Sequence, residues 1–559
     1  MRRQFKNKVV STLLCVAVSL SMAGCGSSTD QAAADVDSSA ESTQEAAESE
    51  QGGQESAEGE QKREETVTIT VEVFDRGEYP EDLGTITDNK WTRMMQDKVM
   101  EELNIDLQFA AIPRSDEVTK IQALMAADSE PDIFYTYDQA QVIQWAGAEA
   151  LADLAPYLEA GGGKELSDYL GEEILKYGMI EGKQYAVNAP RYDQGQYCCF
   201  IRKDMLDKVG VELGELNGHY AMKPSELKDA MLKIKEAGLC DYPIAIRNSH
   251  DSRACIEGAF LTDSSDEGWA QTRYDGYFTV DKEGDKEGLR FLNGCYNEGL
   301  INPDFALYDF NNISEMIAAG QVAFWSDDYW LFPDYLNALY EAEPEAEVVA
   351  MELTHEDGTP AYYEKYAPIG AYGMVSSSCE DVEAAVEVLN WLITSEDAHL
   401  IIHHGVEGEN FEYQNGEIVA LHPDAEQWQT ERGGGDLDVM LNNDPCSADS
   451  ELAAQGLREK YAIKYPEYGE KIADAELDGK EIAVSEGKVA FPPINEVIQS
   501  ELDYVAELGE NSTNLVISSI TAPADKFDET FESCYEIYMN DGGEERQQER
   551  LEAYRNSQK

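Results

Sequence analysis

The order of secondary-structure signals in the first third of the chain constrains the fold more than any other feature. At residues 67–74, valine and isoleucine alternate with polar residues, which predicts a half-buried strand. The signals that follow are a helix at 91–103, a strand at 105–109, a helix capped by Ser115 and a strand at 131–135. Strands that alternate with helices in this way predict a largely parallel sheet of the α/β class.

The length of the chain predicts more than one hydrophobic core. Of 559 residues, about 490 follow Glu65, which is too many for a single core, so we expect two lobes. A second series of helix and strand signals occupies residues 203–246. Between the two series, residues 184–201 hold two short apolar segments and no long helix. The sequence therefore predicts two β-α blocks joined by extended segments.

Residues 1–24 predict export. Basic residues precede an apolar run at 9–22 that is too short to span a bilayer and is typical of a secretory signal. Ala23 and Gly24 then precede Cys25, and this junction resembles a lipobox, which implies cleavage after Gly24 and lipid attachment to Cys25. The alternative is an ordinary cleaved signal followed by an incidental cysteine.

Residues 25–65 have the composition of a disordered, acidic tether. From Gly26 to Glu65 the chain is rich in Ser, Ala, Gln, Gly and Glu and contains no Leu, Ile, Phe, Tyr or Trp, so it cannot bury enough surface to fold. We find no later segment that predicts a membrane span. The expected location is the outer face of the cytoplasmic membrane, with the lipid on Cys25 as the anchor of an extracellular protein.

Composition and missing motifs argue against several classes of function. The formal net charge of −69 makes nucleic acid an unexpected partner. The sequence has no CxxC pair, GxGxxG, P-loop or GxSxG. His399, His403 and His404 are close in sequence but lie in no HExxH motif, so we expect structural or exposed histidines. The sequence therefore predicts no enzyme, no cofactor and no metal site.

Residues 297–330 hold the clearest candidate ligand site. A strand predicted at 321–325 ends at Trp325 and leads into a loop that contains Asp327, Asp328 and Trp330. In open α/β sheets, ligands bind beyond the carboxyl ends of the strands. Two carboxylates between two indoles suit a sugar ring, because flat apolar faces lie beside acceptor oxygens. The alternative is that Trp325 belongs to the core and the aspartates form a turn.

Five segments resemble the extracellular solute-binding lipoproteins of carbohydrate ABC importers, a family-1-like group. They are residues 124–135, 200–210, 297–330, 390–397 and 405–413. In architecture the chain is similar to maltose-binding protein, and within the group it looks most like the long lipoproteins of Gram-positive bacteria. The resemblance implies an α/β, two-lobe periplasmic-binding-protein-like fold with three inter-lobe crossings and a ligand cleft between the lobes. It places 66–188 and 372–488 in lobe 1, and 189–371 and 489–559 in lobe 2.

The resemblance also implies where the cleft and the crossings lie. Arg191 and Tyr192 are expected at the hinge side of the cleft, on the first crossing, although a surface salt bridge is an equal alternative for Arg191. Residues 366–375 resemble the return crossing, and Pro492 and Pro493 mark a third. The predicted ligand-binding residues are Arg76, Tyr137, Asp138, Arg191, Tyr192, Arg247, Trp269, Trp325, Asp327, Asp328, Tyr329, Trp330 and Tyr372.

The function implied by the resemblance is the capture of a carbohydrate by hinge closure and its delivery to the permease subunits of an ABC transporter. Thirty tyrosines and seven tryptophans favour an oligosaccharide over a monosaccharide. We expect a monomer. Two alternatives are a cell-surface glycan-degrading enzyme and a sugar receptor that signals to a sensor kinase.

Overall fold

The computed structural model describes residues 63–77, 79, 83–271, 282–414, 417–421 and 450–558. The predicted signal peptide, Cys25 and most of the predicted tether lie outside the described residues. Of the helices in the described ranges, none is both long enough and apolar enough to cross a membrane.

Strands and helices alternate along most of the described chain. The strands are β1 (Val67–Asp75), β2 (Ile105–Pro113), β3 (Ile133–Thr136), β4 (Met179–Ile180), β5 (Lys183–Gln184), β6 (Ala186–Pro190), β7 (Tyr197–Arg202), β8 (Gly214–Leu216), β9 (His219–Met222), β10 (Ile244–Ala245), β11 (Phe324–Asp328), β12 (Val348–Leu353), β13 (Tyr363–Lys365), β14 (Ile369–Val375), β15 (Phe411–Gln414), β16 (Glu417–Ala420) and β17 (Lys488–Ala490).

The helices connect these strands and cover their faces. They are α1 (Lys90–Leu103), α2 (Glu117–Met125), α3 (Gln139–Gly147), α4 (Gly161–Leu175), α5 (Lys203–Lys208), α6 (Pro224–Glu236), α7 (Ala254–Gly258), α8 (Asp266–Ala270), α9 (Lys282–Asn297), α10 (Phe310–Ala318), α11 (Pro333–Ala342), α12 (Val382–Thr394), α13 (Glu396–His399), α14 (Ser450–Lys464), α15 (Gly469–Ala483), α16 (Gln499–Asp503), α17 (Val505–Thr521), α18 (Phe527–Tyr538) and α19 (Glu544–Ser557). Ser115 is not a helix cap, because it lies in a 3₁₀ turn (Arg114–Asp116) before α2.

The first sheet has the strand order β2-β1-β3-β14-β6. β1 is parallel to β2 along its whole length and parallel to β3 on its other side. β14 is antiparallel to both of its neighbours. Ile69, Val71 and Val73 of β1 are buried, as the alternation of apolar and polar residues predicts. The parallel β-α-β start predicted from the sequence is confirmed.

The second sheet has the order β10-β11-β7-β12-β9-β8. β7 is antiparallel to β11 and β12, whereas β10 is parallel to β11 and β9 is parallel to β12. β11 begins at Phe324, three residues later than the predicted strand, and includes Asp327 and Asp328. Pairing with β7 supplies backbone partners for these two aspartates, so tertiary structure overrides their low strand propensity.

Both sheets are covered by helices on their two faces. In β7, Cys199 packs in an apolar cluster with α6, α9 and α17, while Cys198 packs in another with α11 and α15. In β3, Tyr135 and Phe134 likewise belong to different clusters. Successive residues of a strand point to opposite faces. Each sheet is therefore the middle layer of a helix–sheet–helix arrangement.

Within the described ranges, we name two short segments that join the sheets. β6 ends in the first sheet at Pro190, and β7 begins in the second sheet at Tyr197. The chain leaves the second sheet after β12 and returns to the first at Ile369, by way of β13, which pairs with β17. We call residues 191–196 the first link and residues 366–368 the second link. Both lie where the sequence predicts the first two crossings.

The predicted extent of lobe 1 is wrong for residues 450–483. Tyr461 of α14 and Ile472 of α15 pack in the same cluster as Phe200 and Trp325 of the second sheet. Gly479 allows α15 to approach this sheet closely, since a Cβ there would lie 3.1 Å from the Cβ of Tyr329. These two helices belong with the second sheet because their apolar faces cover it.

This packing also corrects the predicted third crossing. The chain has already reached the second sheet at α14, so Pro492 and Pro493 do not carry it there from lobe 1. The segment after them touches the first lobe instead: the Asn495 side chain donates to the carbonyl of Lys176 at 3.1 Å, and Val497 packs on a first-sheet cluster. The other predicted lobe boundaries stay predictions.

Candidate functional site

Two sheet edges lie at the ends of the first link. We call the first edge the carboxyl ends of β1, β2, β3 and β6, and the second edge the carboxyl ends of β10 and β11 with the amino end of β7. Asp328 pairs with Tyr197, and Ile369 pairs with Pro190, so each link begins or ends at these edges. Because the first link has six residues, the Cα atoms of Pro190 and Tyr197 lie within about 25 Å of each other.

A buried ion pair dominates the second edge. The Nη2 atom of Arg247 lies 2.7 Å from Oδ2 of Asp327 and donates to Asp251 at 3.0 Å. Asp327 is 1% exposed. Burial raises the pKa of Asp327 to about 6, although the Arg247 charge acts in the opposite direction. Asp327 and Arg247 therefore pair with each other, and their predicted contact with a ligand stays a prediction.

Asp328 has a different environment from its neighbour. Within the described ranges, its Oδ1 atom is buried and has no hydrogen-bond partner. Burial, with repulsion from Asp327 and Asp251, raises the pKa of Asp328 to about 8. Near neutral pH this carboxyl group is held in its protonated form, in which it can both donate and accept a hydrogen bond.

Three side chains form a stack across the two links. The guanidinium carbon of Arg191 lies 4.1 Å from the centre of the Tyr366 ring, and Tyr366 stacks on Trp330 with 6.1 Å between ring centres. The backbone N–H of Arg191 donates to Pro368, and that of Tyr366 donates to Gln194. Arg191 belongs to the first link, Tyr366 to the second, and Trp330 follows β11. We call these three residues the link stack.

Tyr329 ties the second edge to the first link. Its hydroxyl donates to Asp193, which also lies 3.1 Å from Nζ of Lys480 in α15. Tyr329 is buried, and burial followed by the nearby Asp193 charge raises the pKa of its hydroxyl. Gly195 makes room for the ring, since a Cβ there would lie 3.1 Å from it. Tyr329 therefore holds the first link, and its predicted contact with a ligand stays a prediction.

An arginine between two aromatic rings characterises the first edge. The guanidinium carbon of Arg114 lies 5.1 Å from the Phe74 ring centre and 5.2 Å from that of Tyr137. Its Nη1 atom also pairs with Glu117 at 2.6 Å. Burial raises the pKa of Glu117, and the Arg114 charge opposes that shift. This edge presents a partly exposed cation beside the half-buried ring of Tyr137, while Phe74 is buried.

The remaining predicted residues of the first edge and first link are more exposed. Arg76 and Asp138 are exposed, and the Asp138 side chain accepts a hydrogen bond from the N–H of Ala140 at the start of α3. The hydroxyl of Tyr192 lies 3.0 Å from that of Tyr169. These residues lie at the edges where the sequence predicts them, without forming one compact cluster.

Three predicted aromatic residues belong to the core. Trp325 is 1% exposed and stacks on Phe200 with 5.6 Å between ring centres. Trp269 is fully buried in α8 and packs on Phe491. Tyr372 is buried in β14 within a first-sheet cluster. All three rings are buried, and their predicted contact with a ligand stays a prediction.

One cavity within the described residues lies away from both edges. It measures about 500 Å³ and is lined by residues that include Val67, Ile69, Asp132 and Cys379. Val67 begins β1, so this cavity lies at the amino end of the parallel strands. Ligands of open α/β sheets bind at the opposite end.

A comparison with protein families identifies the chain. The sequence profile of the family described as bacterial extracellular solute-binding protein matches residues 84–399. The chain belongs to this family. A relative of this solute-binding protein is lipoprotein LipO of Bacillus subtilis (strain 168), which is 25% identical over 338 residues. The alignment covers 56% of this chain and 63% of LipO, so the chain spans less than two thirds of that relative.

Solved structures show that this solute-binding protein has the two-lobe, periplasmic-binding-protein-like fold. An HMO-binding, ABC-transporter-associated solute-binding protein of Bifidobacterium longum infantis has a TM-score of 0.62 at 12% identity, covering 87% of this chain and 99% of its own. The N-glycan transport protein NgtS of Streptococcus pneumoniae has 0.55 at 18%, covering 88% and 99%. FusA of S. pneumoniae, in complex with kestose, has 0.55 at 14%, covering 88% and 100%.

Sequence reasoning missed Arg114 and Tyr366 of this solute-binding protein's candidate site. Arg114 directly follows β2, and its position after a strand in a parallel sheet is a signal that could have identified it. Tyr366 lies just before Pro368 and β14, inside the segment predicted as the return crossing. Its stacking on Trp330 depends on the meeting of two links that are distant in sequence, which no local pattern indicates.

Proposed function

We propose that this solute-binding protein binds a carbohydrate, preferably an oligosaccharide, between its two sheet edges and delivers it to the permease of an ABC transporter. The observation that carries the proposal is the link stack. Arg191, Tyr366 and Trp330 bring a guanidinium group and two aromatic rings together on the segments that join the sheets. Aromatic faces bind sugar rings, and a guanidinium group can donate paired hydrogen bonds to hydroxyl groups.

Buried polar groups near the same links support the proposal. Among the described residues, the side-chain amide of Asn188, Oε1 of Gln196 and Oδ1 of Asp328 are buried without hydrogen-bond partners. Asn188 lies two residues before the end of β6, and Gln196 directly precedes β7. Buried polar groups nearly always have partners, so an unsatisfied set beside a link requires an explanation. Sugar hydroxyl groups, which both donate and accept, would satisfy all three.

The position of the link stack supports hinge closure as the mechanism. A ligand that touches both edges favours the closed conformation, in which the edges are near each other. The fraction of closed protein rises to the extent that the ligand binds the closed state more tightly than the open state. Trp330 rests on Tyr366 of the second link, and Tyr329 binds Asp193 of the first. A ligand seated on Trp330 would therefore act on both links. The closed form is the one that a permease would recognise.

The names of the fold neighbours favour a glycan as the ligand. Two of the neighbours described above are named for HMO and N-glycan, and the third, FusA, was solved in complex with kestose. We infer that this chain takes an oligosaccharide of comparable kind. Binding without turnover is the expected outcome, as opposed to a glycan-degrading activity.

A thermal-shift screen of residues 66–559 against a panel of N-glycans, HMO and fructo-oligosaccharides such as kestose tests the function. A ligand at 100 times its dissociation constant stabilises the folded state by about 2.7 kcal/mol, which gives a measurable shift. Mass spectrometry of the recovered ligand should show it unchanged. Release of a shorter product would establish an enzyme, and absence of any shift across the panel would contradict carbohydrate binding.

We further propose that a lipid on Cys25 anchors the protein to the outer face of the cytoplasmic membrane. The lipobox-like junction and the family's extracellular character support this. Cys25→Ala should release the protein into the medium or leave it unprocessed. Tight membrane association of a processed, unlipidated form would contradict the anchor.

A further inference from the structure

Three histidines gather on the first lobe in a turn of unusual geometry. α13 ends at His399 and continues into a π-helical turn (Leu400–His404), closed by a hydrogen bond from the N–H of Gly405 to the carbonyl of Leu400. Ile401 and Ile402 of this turn are buried in a first-sheet cluster. The three imidazole rings are partly exposed, so ions in solution can reach them.

The π-helical turn is what brings two of the imidazoles together. In an α-helix, residues five apart point about 140° away from each other. Here the Nε2 atoms of His399 and His404 lie 3.3 Å apart, and their ring centres are 5.0 Å apart. His403 adds a third ring at 5.1 Å from that of His399. π-Helical turns are rare and occur frequently at functional sites.

A second π-helical turn in the same chain has a packing explanation. In that turn, Met539–Gly543, Gly542 lies so close to the Tyr504 ring that a Cβ would meet it at 2.6 Å. Close packing of a ring against glycine backbone accounts for the irregular geometry there. At Leu400–His404, the feature produced by the irregular turn is the convergence of imidazoles.

The distance between the two nitrogens matches that of ligands on one metal ion. Zinc–imidazole bonds of 2.0–2.1 Å at a tetrahedral angle place the two nitrogens about 3.3–3.4 Å apart. Imidazole is a preferred ligand of Zn²⁺, Cu²⁺ and Ni²⁺. Across the described part of the chain, no group of three or more His, Cys, Asp or Glu side chains is arranged to hold a metal ion. An ion here would therefore have two imidazole ligands, with water in its other positions.

We propose that His399 and His404 form a two-imidazole site for a divalent transition-metal ion of the Zn²⁺, Cu²⁺ or Ni²⁺ class. His403 stands beside the pair and can become a third ligand by rotation of its side chain. The site lies on the first lobe at the end of α13 and is separate from the link stack. It does not depend on the proposed carbohydrate function.

Calorimetric titration of the full chain, without an affinity tag, with ZnSO₄ tests the site. We expect one ion per chain with a dissociation constant on the order of micromolar, and His404→Gln or His399→Gln should weaken binding by about tenfold or more. His219→Gln is the matched control, because His219 lies in β9 of the second sheet. Unchanged binding in both site variants, or no binding by the parent protein, would overturn the proposal.

Electron paramagnetic resonance of the Cu²⁺-loaded parent protein tests the same site without any substitution, so its result does not depend on whether the variants fold. Two imidazole ligands should give superhyperfine splitting from at least two equivalent nitrogens. A spectrum with one coordinated nitrogen, or with none, would show that the 3.3 Å contact is only an N–H···N hydrogen bond between the rings.

Discussion

The two sheet edges carry similar charged residues, which are buried and paired at the second edge but partly or fully exposed at the first. At the second edge, the side chains of Arg247 and Asp327 are 7% and 1% exposed and paired with each other. At the first edge, the Arg114 side chain is 36% exposed between two aromatic rings, and Asp138 is exposed. The second edge is therefore a fixed surface whose main charges are satisfied without a ligand. The first edge keeps charged groups accessible to an incoming one.

The largest expected effect comes from breaking the buried pair of the second edge. Arg247→Ala leaves Asp327 buried without its cation, which should lower the free energy of unfolding by about 3–5 kcal/mol. Arg114→Ala is the matched change at the first edge, where the loss should be about 1 kcal/mol. Urea unfolding of both variants measures the difference. Equal losses would show that the two edges do not differ as described.

A comparably large effect is expected at Trp325. This indole is buried against Phe200 and Phe332, so Trp325→Ala should lower the free energy of unfolding by about 3–5 kcal/mol. The affinity of the surviving folded protein for a glycan should change little. If affinity falls and stability is retained, Trp325 contacts the ligand and its assignment to the core is wrong.

Trp330, five residues later, should show the opposite pattern. It is partly buried and stacks on Tyr366 of the second link. Trp330→Ala should weaken glycan binding by about 1–3 kcal/mol, with a smaller loss of stability than at Trp325. Calorimetry with a ligand from the panel measures this, and the exposed Tyr157→Ala is the matched aromatic control. Unchanged affinity in Trp330→Ala would remove the link stack from the site.

A further effect concerns pH. Because the pKa of Asp328 is about 8 in the folded protein and near 4 when unfolded, the unfolded state releases the proton more readily. The contribution to stability is therefore present below about pH 4 and is lost as the pH rises towards 8. Asp328→Asn should flatten the fall in unfolding free energy between pH 5 and pH 8 by about 1 kcal/mol or more.

Another buried carboxyl group contributes to the same pH dependence. Burial also raises the pKa of Glu72 to about 8, so the Asp328→Asn variant keeps part of the slope. Asp138→Asn, a change at the exposed first edge, should leave the dependence of the unfolding free energy on pH as it is in the parent protein. A profile for Asp328→Asn that coincides with the parent's would show that Asp328 ionises normally in the folded state.

The sequence predicts the helices and strands well, but it predicts poorly which side chains are buried and which face a ligand site. The alternation in β1 and the apolar face of α1 identify their elements, because those patterns arise from burial on one face. The register of β11 depends on its pairing with β7, so sequence alone ended the strand too early. That shift placed Asp327 in a loop when it is buried beside Arg247.

The candidate site was predictable where it lies on single strand ends and not where it depends on distant segments. Tyr137 and Trp330 were predicted from their positions after strands, and Arg191 from the resemblance, which places it on the first crossing. The contact of Tyr366 with both Arg191 and Trp330 joins parts of the chain far apart in sequence. The helices at 450–483 were misplaced for the same reason, since amphipathic helices do not reveal which sheet they cover.

Small-angle X-ray scattering of residues 66–559, with and without a saturating glycan identified in the panel, tests the central claim most directly. If a carbohydrate binds between the two edges and brings them closer together, the radius of gyration should fall when ligand is added. A ligand that binds by calorimetry but leaves the scattering profile unchanged would contradict closure.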